Sequence, residues 1–234
     1  MKYWYNKSPS LFQKFKRLLK DEYPSLHIQI ENNIIYIRGT LFLYNKEKTK
    51  EIDHYSVEIE IPNDYPEAIP LVREIGGRLP KIADRHLNSD GTACLFYPEE
   101  RLSVYPTNST IIDFIKGPVY KFFLEQTYFD LTAKRDGKGI WLYGEWKHGE
   151  DGAIEFYSEK LDINIRNKEE LLKILRNYVT KEEIKGHWDC YCGSEKKMRD
   201  CHYDKLRDLK RQISRHDALR SLARIEKKFG VGLL

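Results

Sequence analysis

His54-Tyr55-Ser56-Val57-Glu58-Ile59-Glu60-Ile61-Pro62-Asn63-Asp64-Tyr65-Pro66 reads as a strand that runs into a turn bounded by prolines. Tyr55, Val57, Ile59 and Ile61 fall on one face by alternation, the pattern of a half-buried strand. Pro62 and Pro66, followed by Pro70 and Pro80, end regular pairing, because each ring fixes φ and removes a backbone donor. Upstream, Leu26 to Ile30 and Ile34 to Tyr44 alternate in the same way. Asn32-Asn33 and the polar stretch Asn45 to Glu51 connect these segments, and connections so short make neighbouring strands antiparallel. In front of them Ser8-Pro9-Ser10 opens a helix, with Ser10 and Gln13 spaced as a capping box and Leu11, Phe12, Phe15, Leu18 and Leu19 on one stripe. That helix is expected to end near Tyr23-Pro24. The first half is thus α+β, a helix laid against an antiparallel meander.

Beyond the turn, a short strand fits Leu71 to Ile75, and an irregular surface stretch carrying Cys94 follows. Ile111 to Phe123 has helical periodicity, interrupted or restarted at Gly117-Pro118. Residues 137–152, rich in Gly, Trp and Lys, suggest a loop. Asn167 with Glu170 caps a helix whose apolar residues are Leu171, Leu172, Ile174, Leu175, Tyr178 and Val179. Two amphipathic stretches close the chain, with Leu206, Leu209 and Ile213 on the first and Leu219, Leu222 and Ile225 on the second, joined at Ser214 to Asp217. Their stripes are too narrow to form a core by themselves, so they are expected to dock on the body or on a partner.

The 234 residues suffice for one substantial core and an appendage, and 41% hydrophobic residues with 13% aromatics place the chain among folded, soluble proteins. No apolar run approaches the roughly eighteen residues of a membrane span, and Met1-Lys2-Tyr3-Trp4-Tyr5-Asn6-Lys7 lacks the apolar stretch of a secretion signal. A cytoplasmic, reducing compartment is the expectation. From Lys181 onward there are 14 Lys/Arg against 9 Asp/Glu, so the tail is modestly basic and the rest nearly neutral. A nucleic-acid footprint would show denser Lys/Arg on one face, so nucleic acid is not an expected partner.

Four cysteines occur, and three of them crowd into 190–201. Cys190, Cys192 and Cys201 with the adjacent His202 supply three thiolates and an imidazole, a complete tetrahedral set that leaves no open position for water. A structural Zn2+ is expected there, with Gly193 permitting the tight turn between ligands. Cys94 is left free to be a nucleophile.

The order of features then matters: helix, meander, the Pro62 to Pro66 turn, His86-Leu87-Asn88, and Gly91-Thr92-Ala93-Cys94-Leu95. This order resembles the ubiquitin-conjugating enzyme family over about residues 8 to 130. There a strand ends in Pro-x-x-Tyr-Pro, a His-Pro-Asn motif follows, and a Gly-x-x-Cys-Leu segment carries the thioester cysteine. The middle position is Leu87 here, and the interval from Asn88 to Cys94 is two residues shorter than is usual in eukaryotic members. The segment looks closer to divergent bacterial members, some of which sit in antiviral defence operons with a cGAS-like nucleotidyltransferase. The stretch Tyr143 to Gly149 also looks like a bacterial elaboration. The Cys190 to His202 segment resembles the SEC-C zinc motif.

The resemblance implies a transferase that accepts an acyl group, a protein C-terminus, as a thioester on Cys94 and passes it to an amine. Asn88 is the candidate donor to the oxyanion, an effect typically worth about 2.7 to 4 kcal/mol, and His86 supports the loop. No adenylating domain or Gly-rich phosphate loop is apparent, so an activating enzyme or acyl-donor protein is an expected partner, with a cGAS-like nucleotidyltransferase as conjugated protein. Two other readings stay open: a catalytically silent variant of the same fold that only binds a partner, and a cysteine hydrolase using Cys94 with a base such as His148 or His86. The expected organisation is a catalytic domain over 1–160, a connecting helix over 161–185 and a zinc-binding tail over 186–234.

Overall fold

Asn32 and Asn33 both adopt positive φ, 49° and 64°, which closes a two-residue hairpin of the hand that matches strand twist. The computed structural model describes residues 3–65, 68–106, 108–143 and 149–227. The hairpin joins β1 (Leu26–Glu31) to β2 (Ile34–Tyr44); β3 (Glu51–Ile61) and β4 (Leu71–Glu74) follow, and all pair antiparallel in the order β1-β2-β3-β4. The expected meander and its antiparallel sense are therefore present. Pro66 and Glu67 in the proline turn, His148, and the rest of 144–148 lie outside the described residues.

The chain divides into two units, Met1–Phe96 with Val104–Gly144, and Tyr97–Ser103 with Glu145–Leu234. In the first, the alternation read from sequence becomes a buried face: Ile35, Ile37, Leu41 and Leu43 of β2 and Tyr55, Val57, Ile59 and Ile61 of β3 are all buried. They share one core with Phe15 and Leu19 of the N-terminal helix and with Phe114, Val119, Phe122 and Phe123. The opposite parity carries charge, with Arg38 bridged to Glu31 at 2.5 Å and Glu58 at 2.7 Å, and Arg73 bridged to Glu60 at 2.9 Å. This division of faces is what fixes strand register.

A short helix α1 (Trp4–Lys7) precedes α2 (Pro9–Glu22). The N-cap of α2 is Ser8, without a side-chain cap bond, so the Ser10 and Gln13 capping box is not formed. Proline at the first helical position already supplies the fixed φ and needs no donor partner. Arg101–Val104 forms α3. At Gly117-Pro118 the helix neither stops nor restarts: α4 (Ile111–Phe114) passes through a π-helical turn, Ile115–Val119, into α5 (Tyr120–Asp136). The wider turn absorbs the backbone donor that Pro118 lacks.

In the second unit, α6 (Gly149–Leu161) starts inside the stretch expected to be a loop. Phe156, Tyr157 and Leu161 lie in the second unit's core, not in a domain reaching 160. Asn167 caps α7 (Lys168–Ile174) by accepting from Glu170 N at 3.0 Å, as its spacing anticipates. The closing helices α8 (Tyr203–Gln212) and α9 (Arg215–Lys227) share this core: Leu206, Leu209, Ile213 and Ile225 bury with Leu171, Leu175, Phe156 and Met198. The zinc candidate and its following helices are therefore part of a helical core and not a separate tail. Among the described residues no helix is long and apolar enough to cross a membrane.

Candidate functional sites: a cysteine hairpin and a metal cluster

In the first unit, β4 holds the segment that carries Cys94. Ala93 N donates to Val72 O at 2.8 Å, and Thr92 forms a bridge with Arg73. Residues 86–94 then fold on themselves as a small antiparallel hairpin. Asn88 N donates to Thr92 O at 2.9 Å, Cys94 N donates to His86 O at 2.8 Å, and Leu87 bridges Ala93. Gly91, at φ 81°, closes the turn, a conformation that side chains with a Cβ rarely adopt.

Side chains on paired strands alternate between faces. Leu87 and Ala93 point inward, Leu87 at 4% exposure in the core and Ala93 packed against it. His86, Asn88, Thr92 and Cys94 consequently share the other face, with Asn88 diagonal to Cys94. The apolar residue in the middle of His86-Leu87-Asn88 is thus a core residue. The interval from Asn88 to Cys94 is the length that closes this hairpin and brings Asn88 beside the sulfur.

Cys94 Sγ lies 3.5 Å from Asn88 Oδ1, in position to donate its thiol proton. Asn88 Nδ2 donates to Thr92 Oγ1 at 2.9 Å, and Thr92 Oγ1 donates to Asp90 Oδ1 at 2.6 Å. Thr92 N also donates to Asp90 Oδ1 at 3.0 Å. Cys94 is an exposed residue, yet the loop around its sulfur desolvates it, and this pushes the thiol above its ordinary value; the Asp90 charge adds to the rise. A hydrogen bond from Asn88 works the other way, and only where its nitrogen faces the sulfur. Asp90 is held below the usual carboxylate range, first by the Thr92 hydroxyl and then by the Thr92 N–H.

His86 takes a left-handed conformation, φ 51°, at the end of a single turn, Ala83–Arg85, and its ring lies against Trp141 with centroids 4.6 Å apart. Trp141 in turn meets Phe129 at 4.6 Å. Arg85 ties the approach to α5: its Nε donates to Gln126 Oε1 at 2.8 Å, and Gln126 Nε2 returns a bond to Arg85 O at 3.0 Å. Reading residue types alone missed Thr92, Asp90, Gln126 and Trp141. The first two could have been found from turn chemistry, since Asp-Gly-Thr is a strong turn signal with a side-chain acceptor. Gln126 and Trp141 are distant in sequence and carried no signal.

In the second unit, the four expected metal ligands come together, every ligand atom within 4.8 Å of the others. His202 Nδ1 stands 3.3 Å from Cys190 Sγ and 3.1 Å from Cys201 Sγ, and the sulfurs of Cys192 and Cys201 are 3.6 Å apart. With bonds of about 2.3 Å to sulfur and 2.0 to 2.1 Å to nitrogen, the edges of a tetrahedron around one ion would be about 3.6 to 3.8 Å. These three separations are at or slightly below such edges, and with all four ligand atoms within 4.8 Å of one another the cluster could hold a metal ion. Gly193 at φ 75° makes the turn, Cys190 N donates to Lys196 O at 2.9 Å, and Met198 N donates to Trp188 O at 2.7 Å. Ser194 Oγ lies 3.1 Å from Cys192 Sγ and 3.5 Å from Cys201 Sγ, a hydroxyl placed to orient thiolate ligands.

Against known proteins, the chain matches no family model, and no curated protein or solved structure gives a significant match.

Proposed function

We propose that the protein is a ubiquitin-conjugating-like transferase of bacterial type, with Cys94 as the thioester carrier. The observation that carries this reading is the hairpin pairing, which puts Cys94, Asn88 and His86 on one face with Asn88 in contact with the sulfur. A helix, an antiparallel meander and a following helix around that hairpin are what a ubiquitin-conjugating enzyme-like fold requires.

The chemistry suits a carrier better than a hydrolase. In transthioesterification the Cys94 sulfur attacks the donor's thioester carbonyl, the C–S bond to the donor breaks, and the donor thiol leaves with the proton. One thioester replaces another at little energetic cost. A thiol whose pKa is raised is a poor leaving group, so its thioester survives until an amine arrives. A cysteine hydrolase needs the reverse, a thiol acidified by an adjacent base. The sulfur's hydrogen-bond partner here is an amide, and the His86 ring is engaged with Trp141. Presence of the cysteine also speaks against a silent binding variant.

Three thiolates and one imidazole close enough to hold one ion suit zinc by their ligand chemistry, in a closed structural site. Activation of the acyl group is assigned to a separate activating enzyme or acyl-donor protein. From the resemblance alone, the conjugated protein is a cGAS-like nucleotidyltransferase in an antiviral defence system. Incubation with ATP and the proteins encoded beside its gene should yield an adduct that dithiothreitol removes and that Cys94→Ala abolishes. An adduct that persists in Cys94→Ala would sink the reading.

A further inference from the structure

The proton count around Thr92 decides which way the Asn88 amide faces. Asp90, with its pKa lowered, is a carboxylate and can only accept, so the single Thr92 hydroxyl proton goes to Asp90 Oδ1 at 2.6 Å. Thr92 Oγ1 is then left as an acceptor, and the Asn88 atom 2.9 Å away must be the nitrogen. Hence the oxygen faces Cys94. Thr92 is only 6% exposed and sits on Arg73 of β4 through a backbone bridge, so its hydroxyl is held in a built site and not in a loose loop.

Oxygen toward sulfur has a chemical consequence. It accepts from an S–H and repels an S⁻, whereas the nitrogen would do the opposite. We propose that Thr92, backed by Asp90, is a positioning residue that locks the Asn88 amide oxygen onto Cys94, so that the site rests as a protonated thiol and reacts only when the amide turns. Turning the amide brings Nδ2 to the sulfur side, where it donates first to the thiolate and then to the oxyanion. The lock regulates the thiol assigned above to acyl transfer, and so rests on that reading, but its own signature is independent of any acyl partner.

Among the described residues, charge at the turn comes from Asp90, from Arg73 acting on it, and from Lys81, packed over Gly91 with Nζ 3.3 Å from where a Cβ would stand. None of these changes in Thr92→Val, which keeps the shape of the side chain and removes only the hydroxyl.

The test is the pH profile of iodoacetamide alkylation at Cys94, resolved from the other cysteines by peptide mass, on the full-length protein. Thr92→Val should shift the profile to lower pH and alkylate about tenfold faster near neutral pH, the equivalent of a one-unit change in thiol pKa. Thr92→Ser should restore the wild-type profile. Should Thr92→Val fail to fold, Thr92→Ala, which also removes the hydroxyl and leaves every charge in place, should shift the profile in the same direction. A Thr92→Val or Thr92→Ala profile that overlays wild type, or a Thr92→Ser profile displaced like that of Thr92→Val, would overturn the lock. Unshifted alkylation with intact thioester transfer would remove the lock alone, and the expected shift without any thioester would remove the transfer reading alone.

Discussion

The His86 ring lies against Trp141, centroids 4.6 Å apart, and the carbonyl of the same histidine receives the backbone N–H of Cys94 at 2.8 Å. One residue thus couples the cysteine's backbone to an aromatic wall supplied by a distant part of the chain. Aromatic pairs contribute about 0.5 to 1.5 kcal/mol beyond burial. Trp141→Ala should therefore accelerate hydrogen exchange at the Cys94 amide by up to about tenfold, with the amides of β2 and β3 unchanged. Uniform acceleration across the sheet would contradict the local role.

Gly39 in β2 has φ 147°, and a Cβ there would stand 1.9 Å from Ser25 O. The chain entering β1 crosses so close to β2 that only hydrogen fits, and Thr40 N and Ser25 Oγ both bond across the approach. Gly39→Ala is expected to lower stability by about 2 to 4 kcal/mol, through backbone displacement and strain. Urea unfolding of the two proteins checks it.

Asp53 is 16% exposed and paired with Arg78 at 2.6 Å. Burial works to raise its carboxyl, but Arg78, the Thr127 hydroxyl and the His54 N–H outweigh it and hold the pKa at about 2, from an ordinary 3.8. A depressed folded-state value stabilises the protein above the unfolded value, and the contribution disappears as pH falls from 3.8 through about 2. Its size is about 2 kcal/mol. Asp53→Asn should cost about that much at neutral pH and progressively less in acid. Unfolding titrations at several pH values should converge at the acid end; a constant gap would refute the assignment.

Metal removal should act locally. The ligand turn contributes Cys190, Tyr191 and Met198 to a core that also holds Leu171, Leu175, Phe156 and Leu209. Chelation, or Cys201→Ser, is expected to abolish stoichiometric metal and to expose residues 188–202 to hydrogen exchange, while α7 and α8 keep much of their protection. Metal analysis alongside exchange measures both. Because the thiols must ionise to bind, metal should also be released on acidification.

Much of this was legible in the sequence because it depends on period or spacing. The alternation at Tyr55, Val57, Ile59 and Ile61 marks the buried face of β3, and the spacing of Cys190, Cys192, Cys201 and His202 marks the cluster that could hold a metal ion. What was not legible depends on tertiary neighbours. Helix α6 opens with Gly149 and contains Gly152, both poor helix formers, yet Gly152, Phe156 and Tyr157 are buried and packing overrides propensity. That Leu87 is a core residue follows only from the hairpin, which turns its side chain inward. The direction of the Asn88 amide follows only once Thr92 and Asp90 are counted with it.

Acyl transfer to Cys94 is read by intact-mass measurement after mixing the full-length protein with a synthetic peptide whose C-terminal glycine is an alkyl thioester. Acyl transfer to Cys94 should release the alkyl thiol and add a single peptide mass. Dithiothreitol should remove that mass, Cys94→Ala should lack it, and free lysine should discharge it faster in wild type than in Asn88→Ala. No peptide on Cys94, an adduct retained in Cys94→Ala, or discharge to water at a rate indifferent to lysine would rule Cys94 out as a carrier that passes its acyl group to an amine.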